Sequence, residues 1–258
     1  MRYITSILLL LATLGHADIV KNSETQKKQK LTLGAGPYIQ TQPYKNSADI
    51  FVPSPVVFFD NSLFYIRWSR AGVYFLGEAK DEYSWGLSLT IQPRPYGYEA
   101  SDSINLRAMK TRQRTLEGGL ALSASYGDAF GEVLLLTDLL DRYDSWLARA
   151  EFGRSFTFGD FTLYPSMIFT YLSDDFVNYY YGVEADEIDT PLARTSYRAT
   201  AGWQVGAQTF INYKFDKNYA LLLNLRADKL PSSATASPIV KDDYIYSGLL
   251  SLMYSFEY

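Results

Sequence analysis

The chain has 258 residues, a net charge of −4 at neutral pH, no cysteine and a single histidine, His16. The negative balance argues against a nucleic-acid partner, and the lack of cysteine excludes disulfides and thiolate sites. Hydrophobic residues make up 47% of the chain and aromatic residues 16%, yet the mean hydropathy is only −0.13, so apolar side chains must be interspersed with polar ones.

The first 17 residues have the pattern of an export signal. A positive charge at Arg2 precedes an apolar run, and the small residues of Gly15-His16-Ala17 suit cleavage by a signal peptidase. The run is too short for a comfortable transmembrane helix, so an uncleaved membrane anchor is the less favoured alternative. We therefore predict a signal peptide over residues 1–17, whose removal also removes the only histidine.

The mature chain is predicted to have two parts. Residues 18–30 are polar and rich in lysine, and they are interpreted as a short periplasmic N-terminal segment. Residues 31–258 carry one repeated pattern and form the predicted membrane domain. No stretch after the signal is apolar for about 18 residues, so no helix is predicted to span a membrane.

The repeated pattern has the period of a β-strand. In residues 83–92 (YSWGLSLTIQ), apolar side chains take every second place and small or polar side chains lie between them. The alternation recurs at residues 116–126, 146–153, 197–208, 219–226 and 250–258. Strands of about 10 residues suit a tilted crossing of a bilayer, whereas a secreted soluble β protein, the alternative, usually has strands nearer five or six residues.

Two further features favour a membrane barrel. Connections alternate between tight and long when followed back from the C-terminus, as short periplasmic turns and longer outer loops do. Aromatic residues gather near predicted strand ends, where the membrane interface favours them: Tyr83, Tyr126, Trp146, Tyr171, Tyr197, Tyr219 and Tyr258. We predict an all-β fold, a transmembrane antiparallel up-and-down β-barrel in the Gram-negative outer membrane.

The strand number depends on the N-terminal third. Residues 31–40 are predicted to form the first strand, whereas residues 51–59 contain Pro53 and Pro55 and make a poor or edge-like strand. Residues 62–76 are interpreted either as two short strands broken near Ala71-Gly72 or as one long bent strand. Counting both uncertain elements predicts about 12 strands, and merging them gives the alternative of 10.

The last strand is predicted to pair with the first, because no strand edge can stay unpaired in lipid. In this register Leu250 and Leu252 face lipid, as do Tyr254 and Phe256. The ending resembles the signal by which the barrel assembly machinery recognises outer-membrane proteins, with Tyr258 in place of the usual phenylalanine. Tyr254, Phe256 and Tyr258 are therefore the predicted assembly signal.

The mature chain lacks the histidine on which barrel enzymes rely as a base or partner, and it has no cysteine nucleophile. Without histidine or cysteine it cannot build Ser-His-Asp, Cys-His or histidine-metal sites, so we predict no enzyme, no cofactor and no metal. One loop gathers Glu184, Asp186, Glu187 and Asp189, which leaves a glycosidase dyad or a Ca²⁺ site as alternatives. The spacing fits no Ca²⁺ loop motif, and an acidic outer loop beside lipopolysaccharide is favoured.

Charged residues on the polar face of the predicted strands are candidate lumen charges. They are Glu117, Arg149, Glu151, Arg198, Lys214 and Arg226. Such charges can line a pore or can pair across the interior and close it. A barrel of about 12 strands lies between filled small barrels and open porins, and we favour the closed, structural lumen.

Three motifs are similar to those of one family, the MipA/OmpV family (MltA-interacting protein) of Gram-negative outer-membrane proteins. Asn105-Leu106-Arg107-Ala108-Met109, followed by Arg114-Thr115-Leu116-Glu117-Gly118-Gly119, resembles its Leu-x-Gly-Met segment leading into an x-Glu-x-Gly strand, with Ala108 replacing the usual glycine. Tyr180-Tyr181-Gly182-Val183 resembles its Tyr-Phe/Tyr-Gly-Val element. Ser237-Pro238-Ile239-Val240 resembles its Ser-Pro-Ile-Val element.

The resemblance implies an outer-membrane barrel over most of the mature chain, in contact with outer-membrane lipid and lipopolysaccharide. For one family member it implies a scaffold that bridges a murein lytic transglycosylase and a penicillin-binding protein. Here it therefore implies a non-enzymatic, peptidoglycan-associated scaffold protein that links murein-remodelling enzymes to the outer membrane. The polar lumen favours an alternative, a small channel or solute-uptake protein, and a barrel enzyme of carboxylate type is the third hypothesis.

Overall fold

The computed structural model describes residues 30–95 and 97–257. The predicted signal peptide, residues 18–29 of the predicted periplasmic segment, and Tyr258 of the predicted assembly signal lie outside the described residues. The strand segments are β1 (Lys30–Gln40), β2 (Ile50–Asp60), β3 (Phe64–Arg67), β4 (Arg70–Ala79), β5 (Tyr83–Arg94), β6 (Thr115–Tyr126), β7 (Ala129–Asp138), β8 (Trp146–Arg154), β9 (Phe156–Phe158), β10 (Phe161–Leu172), β11 (Gly202–Lys214), β12 (Tyr219–Lys229) and β13 (Tyr244–Glu257).

These segments form one closed antiparallel barrel. β8 and β9 both pair with β10 and are separated only by Ser155, so they act as one strand and the barrel has twelve. β13 closes the wall against β1 in a register that runs from Lys30 opposite Glu257 to Gln40 opposite Ser247. The prediction of a barrel of about 12 strands that closes between its first and last strands is confirmed.

The two ends of the barrel differ in the length of their connections. One end, which we call the terminal end, carries Lys30, Glu257 and short turns such as Gly127-Asp128 and Gly159-Asp160. Both glycines have a positive φ, which two-residue hairpin turns require and glycine adopts freely. The opposite end, the loop end, carries the long connections. In outer-membrane barrels the short turns face the periplasm, so the loop end faces outward.

Side chains alternate between lipid and lumen as the period predicts. On β13, Leu250 and Leu252 are about half exposed, whereas Leu249 and Met253 on the other face are buried. Exposed aromatic residues form a belt near each end, where ring edges meet the membrane interface: Tyr126, Phe156, Phe158, Phe161, Phe215, Tyr219 and Phe256 near the terminal end, and Phe51, Trp146, Trp203, Tyr244 and Tyr246 near the loop end. No helix among the described residues is long and apolar enough to cross a membrane.

The hairpin of β3 and β4 is much shorter than its neighbours. β3 has four residues, and a two-residue turn at Trp68-Ser69 leads directly into β4. The alternative of two strands is therefore correct, but the predicted break near Ala71-Gly72 is wrong, because those residues pair with Ile66 and Tyr65 inside the hairpin. Trp68 adopts a φ of 58°, a conformation that sequence patterns do not indicate for tryptophan.

β2 is longer than its two prolines predict. It is paired along nearly its whole length with β1 on one side, but over only three residues with β3 on the other. It pairs with β1 from Ile50 to Phe59, and with β3 only through its last three residues, Phe58 to Asp60. The edge-like character predicted for this segment is thus present over residues 50–56, on the side that faces away from β1.

The outer loops fold over the loop end as an ordered cap, which we define as residues 97–114, 173–201 and 230–243. Its α-helices are α1 (Asp174–Tyr181) and a single turn, α2 (Ser232–Thr235), and it also contains short 3₁₀ helices at Ile104–Leu106, Ala185–Glu187 and Thr190–Leu192. A cluster of buried apolar side chains holds the cap together and continues into the barrel wall through Leu134, Leu136, Leu147 and Leu172. The cap is therefore part of the folded core.

Closure of the barrel depends on glycine at one position of β1. A Cβ atom at Gly36 would lie 1.7 Å from the carbonyl oxygen of Leu250, whereas a Cβ at Gly248, on the opposite side of the same seam, meets nothing nearer than 3.6 Å. We expect Gly36→Val to lower the folded fraction severely and Gly248→Ala to leave it unchanged. Heat-dependent mobility on gels after refolding measures both, and equal folding of the two variants contradicts the steric account.

Candidate functional site: the capped lumen

The barrel encloses a cavity of about 1650 Å³. It extends from residues at the terminal end, such as Thr32 and Asn218, up to the underside of the cap, where Phe176 and Tyr180 line it. The lumen is therefore not filled by paired charges, and it is covered at the loop end by the cap. This corrects the expectation of a lumen closed by its own ion pairs.

The predicted charges on β8 lie in the lumen and pair with each other. Arg149 Nη2 donates to Glu151 Oε2 at 2.7 Å, and the other carboxylate oxygen of Glu151 accepts from Ser166 at 2.7 Å and from Gln208 at 2.5 Å. Both charged side chains are mostly shielded from solvent. The ion pair is thus anchored to strands β10 and β11 rather than reaching across the lumen.

Two further ion-paired groups line the lumen. Arg226 donates two hydrogen bonds to Asp228, at 2.6 and 2.8 Å. Glu132 on β7 accepts from Arg67 at 3.0 Å and from Arg70 at 2.5 Å, so it binds both arginines of the short hairpin. These groups give the lumen a belt of mixed charge instead of a field of one sign.

Glu117 is fully buried just below the cap. Its carboxylate accepts hydrogen bonds from Arg94 on the neighbouring strand, from Gln92 at 2.8 Å and from the hydroxyl of Tyr143 at 2.9 Å. These bonds link the ends of β5 and β6 nearest the cap to the loop after β7. Loss of any partner of the buried carboxylate would cost several kcal/mol.

The other two predicted lumen charges lie elsewhere. Lys214 is exposed at the terminal end, where it borders the mouth of the cavity. Arg198 is exposed in the segment before β11 and is not in the lumen, so that prediction is wrong. The predicted alternation begins at residue 197, but strand β11 begins only at Gly202. The backbone amides of Ala199 and Ala201 instead donate to the side chains of Asn178 and Asp174 on α1.

Sequence reasoning missed several lumen charges: Arg67, Arg70, Arg94, Glu132 and Asp228. Asp228 continues the alternation that contains Arg226, and Glu132 alternates within β7, so the period of two carried a usable signal for both. Nothing local marks Arg67 and Arg70, because their orientation depends on a turn at Trp68-Ser69 that has no glycine.

The acidic loop is not a free cluster of carboxylates. Lys110 binds Glu184 at 2.5 Å and Asp186 at 3.0 Å, and Arg107 binds Asp189 at 2.7 Å. These hydrogen bonds lower the pKa of the Asp186 and Asp189 carboxyls. Among the described residues no group of three or more acidic or histidine side chains is arranged to hold a metal ion.

Glu187 departs from the expectation of a solvated acidic loop. It is 1% exposed and accepts from Arg112, itself 5% exposed, at 2.9 and 3.0 Å. Its two oxygens also accept from the backbone amides of Lys110 and Glu184. Arg194, also buried, donates to the backbone carbonyls of Asn105, Arg107 and Glu187. This buried polar network clamps two cap loops together.

The three motifs singled out in the sequence converge in the cap. Leu106, Met109, Tyr180, Tyr181, Val183, Ile239 and Val240 belong to its buried cluster. Ser237 Oγ donates to the carbonyl oxygen of Tyr181 at 2.6 Å, which joins two of the motifs directly. The motifs therefore build the cover of the lumen.

Ala108 occupies the motif position where glycine is usual, and its backbone shows why glycine suits it. Its φ is 60° and its side chain is exposed, so it bears the cost of a left-handed conformation without gaining burial. We expect Ala108→Gly to stabilise the cap by about 0.5–1 kcal/mol after the entropy cost of glycine.

Hydrogen exchange of cap amides measures this gain. Ala236→Gly is the matched control, since Ala236 is also exposed in the cap but has a φ of −75°, and it should lose stability. A loss in both variants contradicts the strain at Ala108.

The sequence matches the family described as "MltA-interacting protein MipA" over residues 33–256. MltA-interacting protein of Escherichia coli (strain K12) is 26% identical over 251 residues, covering 94% of this chain and 96% of that protein. Outer membrane protein OmpV of Vibrio cholerae is 24% identical over 166 residues, covering 64% of this chain and 63% of that protein.

A solved outer membrane channel from Pseudomonas putida F1 covers 93% of this chain and all of its own, with 12% identity and a TM-score of 0.43. The sequence match extends from β1 to β13 and includes all three motifs of the cap. The chain is an outer-membrane β-barrel that belongs to the MltA-interacting protein MipA family.

Proposed function

We propose that this barrel is a non-enzymatic scaffold that binds a murein lytic transglycosylase, and through it a penicillin-binding protein, at its terminal end. The observation that carries the proposal is the match over nearly the whole length of a relative named for its interaction with MltA. The names of the relatives describe an interaction protein and outer membrane proteins, which supports a role without catalysis. The barrel assembly machinery and lipopolysaccharide are proposed as further partners.

The terminal end supports this proposal with a charged rim. Asp128 in a turn and Arg154 at the end of β8 are exposed and pair at 3.4 Å, and the other turns expose Lys80, Asp160 and Lys217. Each turn is short, so a stable interface of roughly 1,200 Å² or more needs a further surface. Residues 18–29 immediately precede β1 in the sequence, and we propose that they supply it.

Binding of a purified lytic transglycosylase to the folded barrel tests the scaffold. We expect Lys217→Glu at the terminal end to weaken binding and Lys241→Glu, the same change on an exposed cap residue at the opposite end, to leave it unchanged. Deletion of residues 18–29 should weaken binding further. Surface plasmon resonance at moderate salt measures each affinity, and a well-folded barrel that binds no transglycosylase rules out the scaffold.

A second function, passage of a small solute, is favoured by the cavity itself. A lumen of about 1650 Å³ with paired charges along its wall offers room and polar partners, and the cap is what separates it from the outside. Because Glu187 holds the cap loops together, its removal should open this route.

Planar-bilayer recording tests the route. We expect low conductance from the native chain and larger, more frequent openings from Glu187→Ala, which leaves Arg112 and two backbone amides without their acceptor. Asp186→Asn is the matched control, since its exposed ion pair with Lys110 contributes little. Identical conductance of native chain and Glu187→Ala shows that the cap is not the barrier.

A further inference from the structure

The barrel wall is incomplete in the half nearest the cap. β3 ends at Arg67 and β4 begins at Arg70, whereas β2 continues beyond its last pair with this hairpin and β5 continues beyond Ile91. Among the described residues, no strand pairs with residues 50–56 of β2, about 23 Å of strand, on this side. Two strand positions, about 10 Å of wall, are missing between β2 and β5 above the hairpin.

Prolines occupy the open edge of β2 at positions where a backbone N–H would have no strand to donate to. The amide of Trp68 donates to the carbonyl oxygen of Val57, so the backbone of Val57 faces the hairpin side. With the period of two, residues 55, 53 and 51 face the same side. Two of the three are Pro53 and Pro55, which have no N–H.

The opposite edge of the opening, on β5, also has a proline at a position that faces the missing wall. Leu116 on β6 pairs with Pro93 on β5, and the carbonyl oxygen of Leu116 accepts from Leu139 on the far side. The backbone of Pro93 therefore faces away from β6, towards the missing wall. An unpaired amide in hydrocarbon costs several kcal/mol, so the prolines remove donors that an open edge could not satisfy.

The floor of the opening is built from the hairpin turn. Trp68 is held in its left-handed conformation by its amide bond to Val57, by its indole N–H, which donates to Ser54 Oγ at 3.0 Å, and by edge-on contact with the ring of Tyr38 at 5.8 Å. Glycine is the usual residue at the first position of such a turn, so a strained tryptophan here points to a role at this site.

The opening connects directly to the cavity. The four consecutive residues of β2 from Val52 to Pro55 all line the cavity, although neighbouring side chains on a strand point to opposite faces. Pro93 and Pro95, at the other edge of the opening, also line the cavity. Val52 points inward yet is 42% exposed. Most of the residues that form the rim are therefore apolar. Arg67 and Arg70 flank the turn at the floor of the opening, and both bind Glu132.

We propose that this gap is a lateral portal through which the acyl chain of an amphiphile enters the lumen from the outer leaflet. The apolar rim, with few backbone donors, suits a hydrocarbon chain, and the belt of mixed charge suits the polar head that follows. The cap leaves the side of the barrel as the entry on the outer half. The proposal rests on the lumen as a solute site but not on conductance or on a periplasmic partner.

Quenching by brominated lipid tests the portal, because the chain has no cysteine and a single introduced thiol can carry a fluorophore. Val52→Cys places the label inside the wall at the portal. Gln208→Cys places it inside a wall that is paired on both sides, with Ser166 and Arg226. Leu250→Cys places it in lipid. Heat-dependent gel mobility confirms the folding of each labelled variant.

In liposomes of phospholipid brominated on its acyl chains, we expect quenching at Val52 to exceed that at Gln208 about threefold and to reach about half of that at Leu250. Quenching at Val52 only by an added brominated fatty acid, with Gln208 unaffected, also supports the portal and restricts it to single-chain amphiphiles. The proposal is overturned if neither probe quenches Val52 more than Gln208, whatever the conductance, because entry is then not through the wall.

Discussion

Hydrogen bonding of the backbone inside a bilayer is the constraint on which the rest of this structure depends. Hydrocarbon offers no water, so every strand edge must be paired or must border a wet cavity. Pairing of β13 with β1 meets this demand around the wall. The alternation of side chains follows from it, because each paired strand then presents one face to lipid and the other to the lumen. Where the wall is broken, between β2 and β5, prolines meet the same demand by deleting donors.

The cap meets a related demand without sheet pairing. Its loops carry buried carbonyl groups that no neighbouring strand can satisfy, and Arg112 and Arg194 reach them instead. A guanidinium group suits this task because it offers five donors in a fixed plane. Its charge then needs a buried counter-ion, which Glu187 supplies to Arg112. The stability of the cap therefore depends on a few side chains, and a single lost partner has a large effect.

The wall of the barrel could be predicted from the sequence because its physical cause is local. Strands such as β5 and β13 show the period of two within ten residues, and tight turns such as Gly159-Asp160 have their own signature. The cap could not be predicted in this way. Nothing within the acidic loop distinguishes Glu187, which is buried, from Asp186, which is exposed, because the deciding partner, Arg112, lies 75 residues away in the chain. Arg198 was misplaced for the same reason, since α1 rather than the local pattern fixes the segment that contains it.

The three boundaries of the lumen differ in what they would admit. Entry through the cap requires the loss of buried hydrogen bonds to charged groups, whereas entry between β2 and β5 requires only the displacement of apolar side chains from an edge with few donors. The terminal end, with Lys214 at its mouth, faces the periplasm. A transglycosylase bound across that end would cover the wet exit of the lumen. Scaffold binding and occupancy of the lumen would then be coupled by sterics alone, so the two proposed functions need not be alternatives in one molecule.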